Sequence, residues 1–600
     1  MRYISTKNSN DFYSDSTAIL NNFAEDGGLF VPEAFPHFTA SDWERMANSP
    51  FSERASVVLQ KFIASIPSER LSELTRRVFW QKPGSDNSPN PILRSLNEYS
   101  PYPYALELWH GEGGSDVDYV AKLVPSLYQL AHDRNADRVG KKLVLLIPAM
   151  AESAYSWTHS LKVSGIEGIV FAANETSNAK RKVGGERKGK RRRRKGKNKN
   201  KNNSQSTVNI HNYTKTDFAD AIEVKSTYTD LQAQLLKLAQ DEEFLAKFDD
   251  DVVFQVVTDY SWPMILSRIT YMVSLYADFV KQEDFDPQEL IDVVIPSSDL
   301  SAVLAALYTK ACGANFGRIL LASNKNHQWT DFVRNGSFNL KRRTYRTNSP
   351  ALDNLGNENL FRLLFEFAER NSDKLNNWLK DLDKKDRFNI DKTTLNNMQT
   401  LLVAGFADDA STRQSIIDVY TEFDHLVDPN TAVGFAVKTR YDKQNKKEEP
   451  RKTVYLSLFS PYLYPGTVAD AVLNNPQQYR NVDDTRYALY EESELHIPER
   501  YGLAKAQKRV ETAKLTIKGE EKIFYGQQEY VREEDETEEE DSSLIEAEQE
   551  LAKKNLEIAQ AELELELEQV KTDSKTRYVH LNKIDSTIVE LLEQHSSEDR

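Results

Sequence analysis

Residues 290–322 read LIDVVIPSSDLSAVLAALYTKACGANFGRILLA. An apolar run, Leu290–Pro296, is followed by a helix-forming stretch, Ala302–Cys312, and by a second apolar run, Arg318–Ala322. Short β-branched runs on either side of a helix describe strands buried on both faces, the unit of a parallel sheet. The same alternation extends outward in both directions. Upstream, strands are expected at Tyr104–Trp109, Lys142–Pro148, Ile166–Ala172 and Val252–Thr258. Helices are expected at Asp118–His132, with apolar residues three and four apart, and at Met264–Phe279. Downstream, helices dominate 341–436, at Asn359–Asn371, Asp373–Leu382 and Ala410–Phe423, and Thr453–Leu458 supplies one more strand.

At 600 residues the chain can form several domain-sized units. A hydrophobic content of 39% and a charged content of 28% suggest that part of it stays outside the core. The single cysteine, Cys312, rules out an intramolecular disulfide framework and a cysteine-rich zinc site. The first residues, MRYISTKNSNDFYSDS, lack the apolar centre of a secretory signal, and no apolar run is long enough to span a bilayer. No membrane partner and no metal site are expected. Residues 1–100 read as short helices and loops, with a strand at Tyr3–Ser5 and a capping box at Ser41 and Glu44.

A series of short stretches then appears in a telling order. Tyr3–Asn8 and Leu20–Glu33 (LNNFAEDGGLFVPE) resemble the opening of threonine synthases, above all the fungal type. Glu107-Leu-Trp-His-Gly111 is similar to the strand before that family's cofactor lysine. Ile295–Ser297, Ala322–Asn324, Ser349–Asp353, Asn359–Leu364, Asp428–Gly434 and Val468–Val472 resemble its later signatures. The likeness covers about 1–490 in register, apart from 180–206. It implies an α/β architecture: a two-domain PLP-dependent threonine-synthase-like fold, tryptophan synthase β-like, plus a charged helical C-terminal extension. The expected division is 1–100 as an N-terminal region, 101–490 as the α/β body, 178–206 as a basic disordered loop and 500–600 as an acidic, coiled-coil-like extension.

The family uses pyridoxal phosphate (PLP) to convert phosphohomoserine to threonine and phosphate, and four of its chemical elements can be placed here by position. Its pattern His-Gly-Pro-Thr-x-Ala-Phe-Lys-Asp reads His110-Gly-Glu-Gly-Gly-Ser-Asp-Val-Asp118, so Val117 takes the place of the Schiff-base lysine and Asp118 follows it. Lys122 lies five residues on, on a different face of the helix. The tight Ser-Gly-Asp-Thr-Gly-Ser turn becomes Met150-Ala-Glu-Ser-Ala-Tyr155, with Ala151 and Ala154 for the glycines, Glu152 between them and a bulky Tyr155. The phosphate cup Gly-Asn-Phe-Gly becomes Ser298-Asp299-Leu300-Ser301, where Asp299 would oppose a phosphate. The Ser-Thr-Ala-His stretch becomes Phe459-Ser460-Pro461-Tyr462, with Tyr462 at the histidine position. Similarly, Asn-Ser-Ile-Asn-Trp-Ala-Arg survives as Thr258–Met264, keeping only Trp262.

These losses predict a pseudoenzyme with no cofactor and no catalytic residue, PLP returning only if the chain is a residual threonine synthase. Two alternatives stay open. Glu112, Asp116, Asp118 and Glu152 could form an acidic pocket for other acid/base work, against their ordinary role of capping and surface exposure. The cleft could also bind an amino acid or phosphate without turnover.

The net charge of −15 hides a segregation: Lys180–Lys201 carries +13, leaving −28 for the rest. The cations of interest are Lys180, Arg181, Lys182, Arg187, Lys188, Lys190, Arg191, Arg192, Arg193, Arg194 and Lys195. Gly184–Lys190 mimics a P-loop, but Arg191 replaces the required hydroxyl residue. No aromatic interrupts the run, so contacts with RNA or DNA would go to phosphates; an import receptor is the other expected partner, against the alternative of a passive solvated loop. Residues 533–541 hold eight acids, and Ser542–Val570 is a strong helix former with half a heptad seam: Leu544, Leu551, Ile558 and Leu565. The sequence therefore suggests an interaction or scaffold protein, nuclear or cytoplasmic, with a protein partner on the C-terminal helix.

Overall fold

The computed structural model describes residues 1–80, 90–97, 103–150, 152–173, 219–248, 251–296, 300–353, 359–446, 449–474, 476, 482–493, 495, 553–554, 556–558 and 577–598. The basic segment 178–206 lies outside these residues. In chain order the strands are β1 (Arg2–Ser5), β2 (Phe12–Ser14), β3 (Phe30–Pro32), β4 (Ile92–Ser95), β5 (Pro103–Glu107), β6 (Lys142–Met150), β7 (Gly168–Ala173) and β8 (Ala219–Lys225). They continue with β9 (Val252–Val256), β10 (Ile291–Pro296), β11 (Phe316–Ser323), β12 (Ser337–Asn339), β13 (Arg387–Asn389), β14 (Leu402–Phe406), β15 (Thr453–Ser457) and β16 (Arg577–His580).

Two sheets carry the body. The larger has the order β14-β11-β10-β15-β5-β4 and is parallel except for β4, which pairs antiparallel with β5 at the edge. The smaller has the order β16-β8-β7-β6-β9 and is parallel throughout. The chain leaves the larger sheet after β5, builds the smaller one and returns at β10. That is the two-domain arrangement the resemblance implies.

The apolar runs form strands because both of their faces are covered. On β6, Leu143, Leu145, Ile147 and Ala149 point into the core shared with the rest of the body, while Val144 and Leu146 point to a second core on the outer face. The helix Trp262–Val280 sits centrally, and all its residues but Asp278 and Val280 are buried. It packs against the helices Phe51–Phe62, Val117–Asp133 and Ser301–Ala311. The N-terminal strands β1–β3 clamp onto its start: the Tyr3 hydroxyl donates to the Phe62 carbonyl at 3.0 Å, and its ring lies 5.3 Å from that of Trp262, edge-on. Cys312 is buried, and burial pushes its thiol up to about 12, which leaves it unreactive.

Two expectations are corrected. The capping box begins at Thr39, not Ser41: Thr39 Oγ1 accepts from the Asp42 amide and Asp42 Oδ2 accepts from the Thr39 amide, because Ala40 and Ser41 are already helical. The acidic extension does not run to the end of the chain. Most of 500–576, including nearly all of the half-seam, lies outside the described residues, and Ile558 on a short helical stretch is 60% exposed. Residues 577–598 instead belong to the body. β16 adds to the edge of the smaller sheet beside β8, and the helix Ile584–Glu598 lays Ile584, Ile588, Leu591 and Leu592 into the outer core. An apolar face beside an open strand edge is what draws them there.

Candidate functional site

A cleft opens between the two sheets at the C-terminal ends of their strands, where open parallel sheets present ligand sites. Its walls come from the ends of β6 (Pro148, Met150) and β10 (Pro296), from the residues after β9 and β15 (Asp259, Phe459), and from helix starts at Val117, Ser153 and Ser301. The cavity measures about 130 Å³, below the roughly 300–1,000 Å³ of an ordinary small-molecule site.

Val117 opens the helix Val117–Asp133 and lines this cleft. Among the described lining residues there is no lysine. Lys122 is turned to Glu112, with Nζ 3.0 Å from Oε2. Burial would raise the Glu112 carboxyl, but Lys122 and then His159 hold it below its ordinary value. Asp118 does not line the cleft. Its carboxylate accepts from the amides of Gly113 and Ser115, and burial raises it. A methyl group on Gly111 or Gly113 would lie within 2.7 Å of that carboxylate, so the glycines serve to seat Asp118. Of the four acids that could make an acidic pocket, Asp116 and Glu152 reach the cleft, whereas Glu112 and Asp118 are used around it.

Ala151 lies outside the described residues, and a helix starts just after it. Ser153 is the cap in right-handed helical geometry, Ala154 begins the helix, and Tyr155 stacks on His159 at 5.9 Å. In the former cup, Ser298 and Asp299 lie outside the described residues. Leu300 caps the helix Ser301–Ala311 at φ 81°, a left-handed conformation that costs a leucine about 1–3 kcal/mol, and its side chain is buried in the main core. Tyr462 is fully buried, and its hydroxyl donates to the Leu495 carbonyl at 2.6 Å, while Ser460 caps the short turn Pro461–Leu463 that contains it. The first and fourth elements are nonetheless stitched together: the Asp116 amide donates to the Leu458 carbonyl and the Ser460 amide to the Gly114 carbonyl, each at 2.9 Å. A PLP Schiff base needs an amine, and the described lining supplies none, so these residues do not fit that attachment.

Arg268, Tyr228 and Asp259 in the cleft were not singled out in the sequence. Arg268 is buried on the central helix, one turn beyond Met264, with Nη2 3.5 Å from Asp116 Oδ2. The Tyr228 hydroxyl donates to Asp259 Oδ2 at 2.8 Å. The one available signal was the four-residue step from Met264 to Arg268, which puts a charge on the same helix face. Behind the cleft, Glu107 at the end of β5 is fully buried among His110 (2.7 Å), Arg94 (3.0 Å) and His425 (3.3 Å). Among the described residues no group of acids, histidines or cysteines is arranged to hold a metal, and no helix is long and apolar enough to cross a membrane.

The family model for the threonine synthase N terminus matches residues 2–79. Threonine synthase of Saccharomyces cerevisiae is 23% identical over 520 residues, covering 82% of this chain and 92% of its own. The chain is similar in sequence to threonine synthases over most of its length. The human protein named threonine synthase-like 1 is 24% identical over 459 residues, covering 74% of this chain. The match spans 57% of that protein's length. The crystal structure of PLP-bound threonine synthase from Brucella melitensis superposes with a TM-score of 0.64 at 17% identity, over 82% of this chain and all of the other. The chain thus shares the fold of that PLP-bound threonine synthase over 82% of its length.

Proposed function

We propose that this chain is a pseudoenzyme that uses the threonine-synthase fold as a scaffold for interactions. Val117 carries the reading: an isopropyl group faces the cleft at the lysine position, and Lys122, the nearest lysine along the helix, is held by Glu112. No PLP is bound covalently and no threonine is made from O-phosphohomoserine. The test is incubation with PLP, borohydride reduction and peptide mapping by mass spectrometry, beside an assay for threonine. The expected result is no stoichiometric adduct and no threonine. A stoichiometric pyridoxyl adduct at one lysine, together with threonine formation, would overturn the reading and restore the enzyme.

In this proposal the basic segment Lys180–Lys195 binds nucleic-acid phosphates or import machinery, and the acidic helical stretch 542–570 engages a protein partner in the nucleus or cytoplasm. Along the chain the segment follows β7, the central strand of the smaller sheet, which ends at Ala173 beside Met150 of β6. Deleting 180–203 is expected to abolish nuclear accumulation or nucleic-acid retention in cells, measured by imaging and by nuclease-sensitive pull-down. Unchanged localisation and retention would leave the segment passive.

A second reading, ligand binding without turnover, is favoured by one feature, the buried Arg268–Asp116 pair in the cleft. A guanidinium there could take a carboxylate or phosphate in exchange for Asp116. Thermal shift with threonine, O-phosphohomoserine and phosphate separates the two readings. A saturable rise in melting temperature supports binding, and a flat response removes it.

A further inference from the structure

The loop after β12, Leu340-Lys-Arg-Arg-Thr-Tyr-Arg346, builds a second positive surface in a chain whose net charge is negative. Lys341, Arg342, Arg343, Arg346 and the neighbouring Lys325 are all exposed. Two of these cations are paired, Lys341 with Asp386 and Arg342 with Asp331. Lys325, Arg343 and Arg346 make no ion pair among the described residues. Beside them stands Tyr345, 38% exposed, with Lys325 Nζ 4.8 Å and Arg343 Cζ 5.2 Å from its ring centre.

The platform is rigid from below. The Tyr345 amide donates to Asn326 Oδ1 at 2.7 Å, and its carbonyl accepts from Asn326 Nδ2 at 2.8 Å. Asn326 is itself buried and donates to Asp353 Oδ1, which also accepts from Thr347 Oγ1 and Asn324 Nδ2. Burial raises the Asp353 carboxyl to about 6. Both backbone groups of Tyr345 are therefore fixed by one buried side chain, and little ordering is left for binding.

We propose that this surface binds single-stranded nucleic acid, with Lys325, Arg343 and Arg346 on successive phosphates and a base stacked against Tyr345. Unpaired cations give phosphate affinity, and a held aromatic ring rewards an unstacked base, which a duplex does not offer. Leu340 and Tyr345 are the only large apolar side chains exposed on the loop, too little for insertion into a lipid surface. The site is separate from the Lys180–Lys195 segment and stands without it.

The test uses the full chain and a variant lacking 180–203, with a fluorescently labelled oligouridylate followed by anisotropy across a salt series. In the deletion background, R343A/R346A is expected to weaken binding at least tenfold at low salt. It should also flatten the log–log salt slope by about 1.4, two phosphates at about 0.7 each. Y345A should weaken binding about tenfold, Y345F should not, and the duplex of the same length should bind more weakly than the single strand. These side chains are exposed, so unchanged melting temperatures serve as the fold control. Loss of all binding on deleting 180–203 would overturn this site while leaving the basic segment's role intact. Equal affinity for duplex, or tighter binding to phosphatidylserine vesicles, or indifference to Y345A, would also overturn it.

Discussion

A chain ending at residue 576 is expected to lose the folded state of the smaller sheet, although 24 residues of 600 are removed. The missing strand β16 pairs in parallel with β8 from Arg577 opposite Ile222 to His580 opposite Lys225. The missing helix buries Ile584, Ile588 and Leu591 almost completely and Leu592 to 9% exposure. Burying each of these is worth about 1.5–3 kcal/mol, roughly 6–12 kcal/mol together as an upper figure. That approaches the whole stability of a typical domain, about 5–15 kcal/mol. Truncation also uncovers Ile222, Val224, Leu231 and Leu235, which share that core. The long excursion before β16 does not weaken the case, because closure entropy rises only slowly with loop length. Limited proteolysis should show cleavage within 142–173 and 219–256 in the truncated chain and protection of those stretches in the full one. Ile588→Ala should cost about 2–5 kcal/mol in denaturant unfolding, whereas Ile558→Ala, at a position 60% exposed, should stay within about 0.5 kcal/mol. Equal protection and equal midpoints would show the C-terminal pair to be dispensable.

Glu107→Gln is expected to cost about 3 kcal/mol near neutral pH and to remove part of the acid limb of the stability curve. Burial alone would raise this carboxyl. The hydrogen bond from His110, with the charges of His425, His110 and Arg94, outweighs burial and holds it at about 2, against an ordinary value of 4.5. A carboxyl held below its unfolded value stabilises the fold above pH 4.5, and that contribution is lost as pH falls from 4.5 toward 2. A gap of that size is worth about 3 kcal/mol. Arg94 is 44% exposed, so its share is screened, and the two buried histidines matter more. Burial lowers His425, even with Glu107 opposing it, so it adds to the same trend: stability falls as acid forces it to charge. Urea midpoints measured between pH 7 and pH 2.5 should converge for the two proteins at the acid end. Parallel curves offset by a constant would mean that the carboxylate's charge is not what holds β4, β5 and the His425 loop together.

Much of the body was legible because buried parallel strands and amphipathic helices repeat locally. Leu290–Pro296 and Arg318–Ala322 became β10 and β11 within two residues at each end. The edge strand β4 and strand β14 were not read, since edge and partly exposed strands lack the continuous apolar run. The expectation that Val117 stands at the family's lysine position rests on order within a motif, which needs no geometry. Val117 could be read from its neighbours, but the company it keeps could not.

Sequence alone thus determined the architecture, the substitutions at the family's chemical positions and the segregation of charge, because each is written in residues close together along the chain. Tertiary structure alone decided three other things. It placed Arg268 and Asp116, 152 positions apart, in one cleft at 3.5 Å. It pinned Tyr345 beside Lys325 and Arg343. It returned residues 577–598 to a sheet edge more than 350 positions upstream. The physical reason is the same in each case. Coulomb attraction, ring contact and burial of apolar surface act over a few ångströms of space and are blind to separation along the chain.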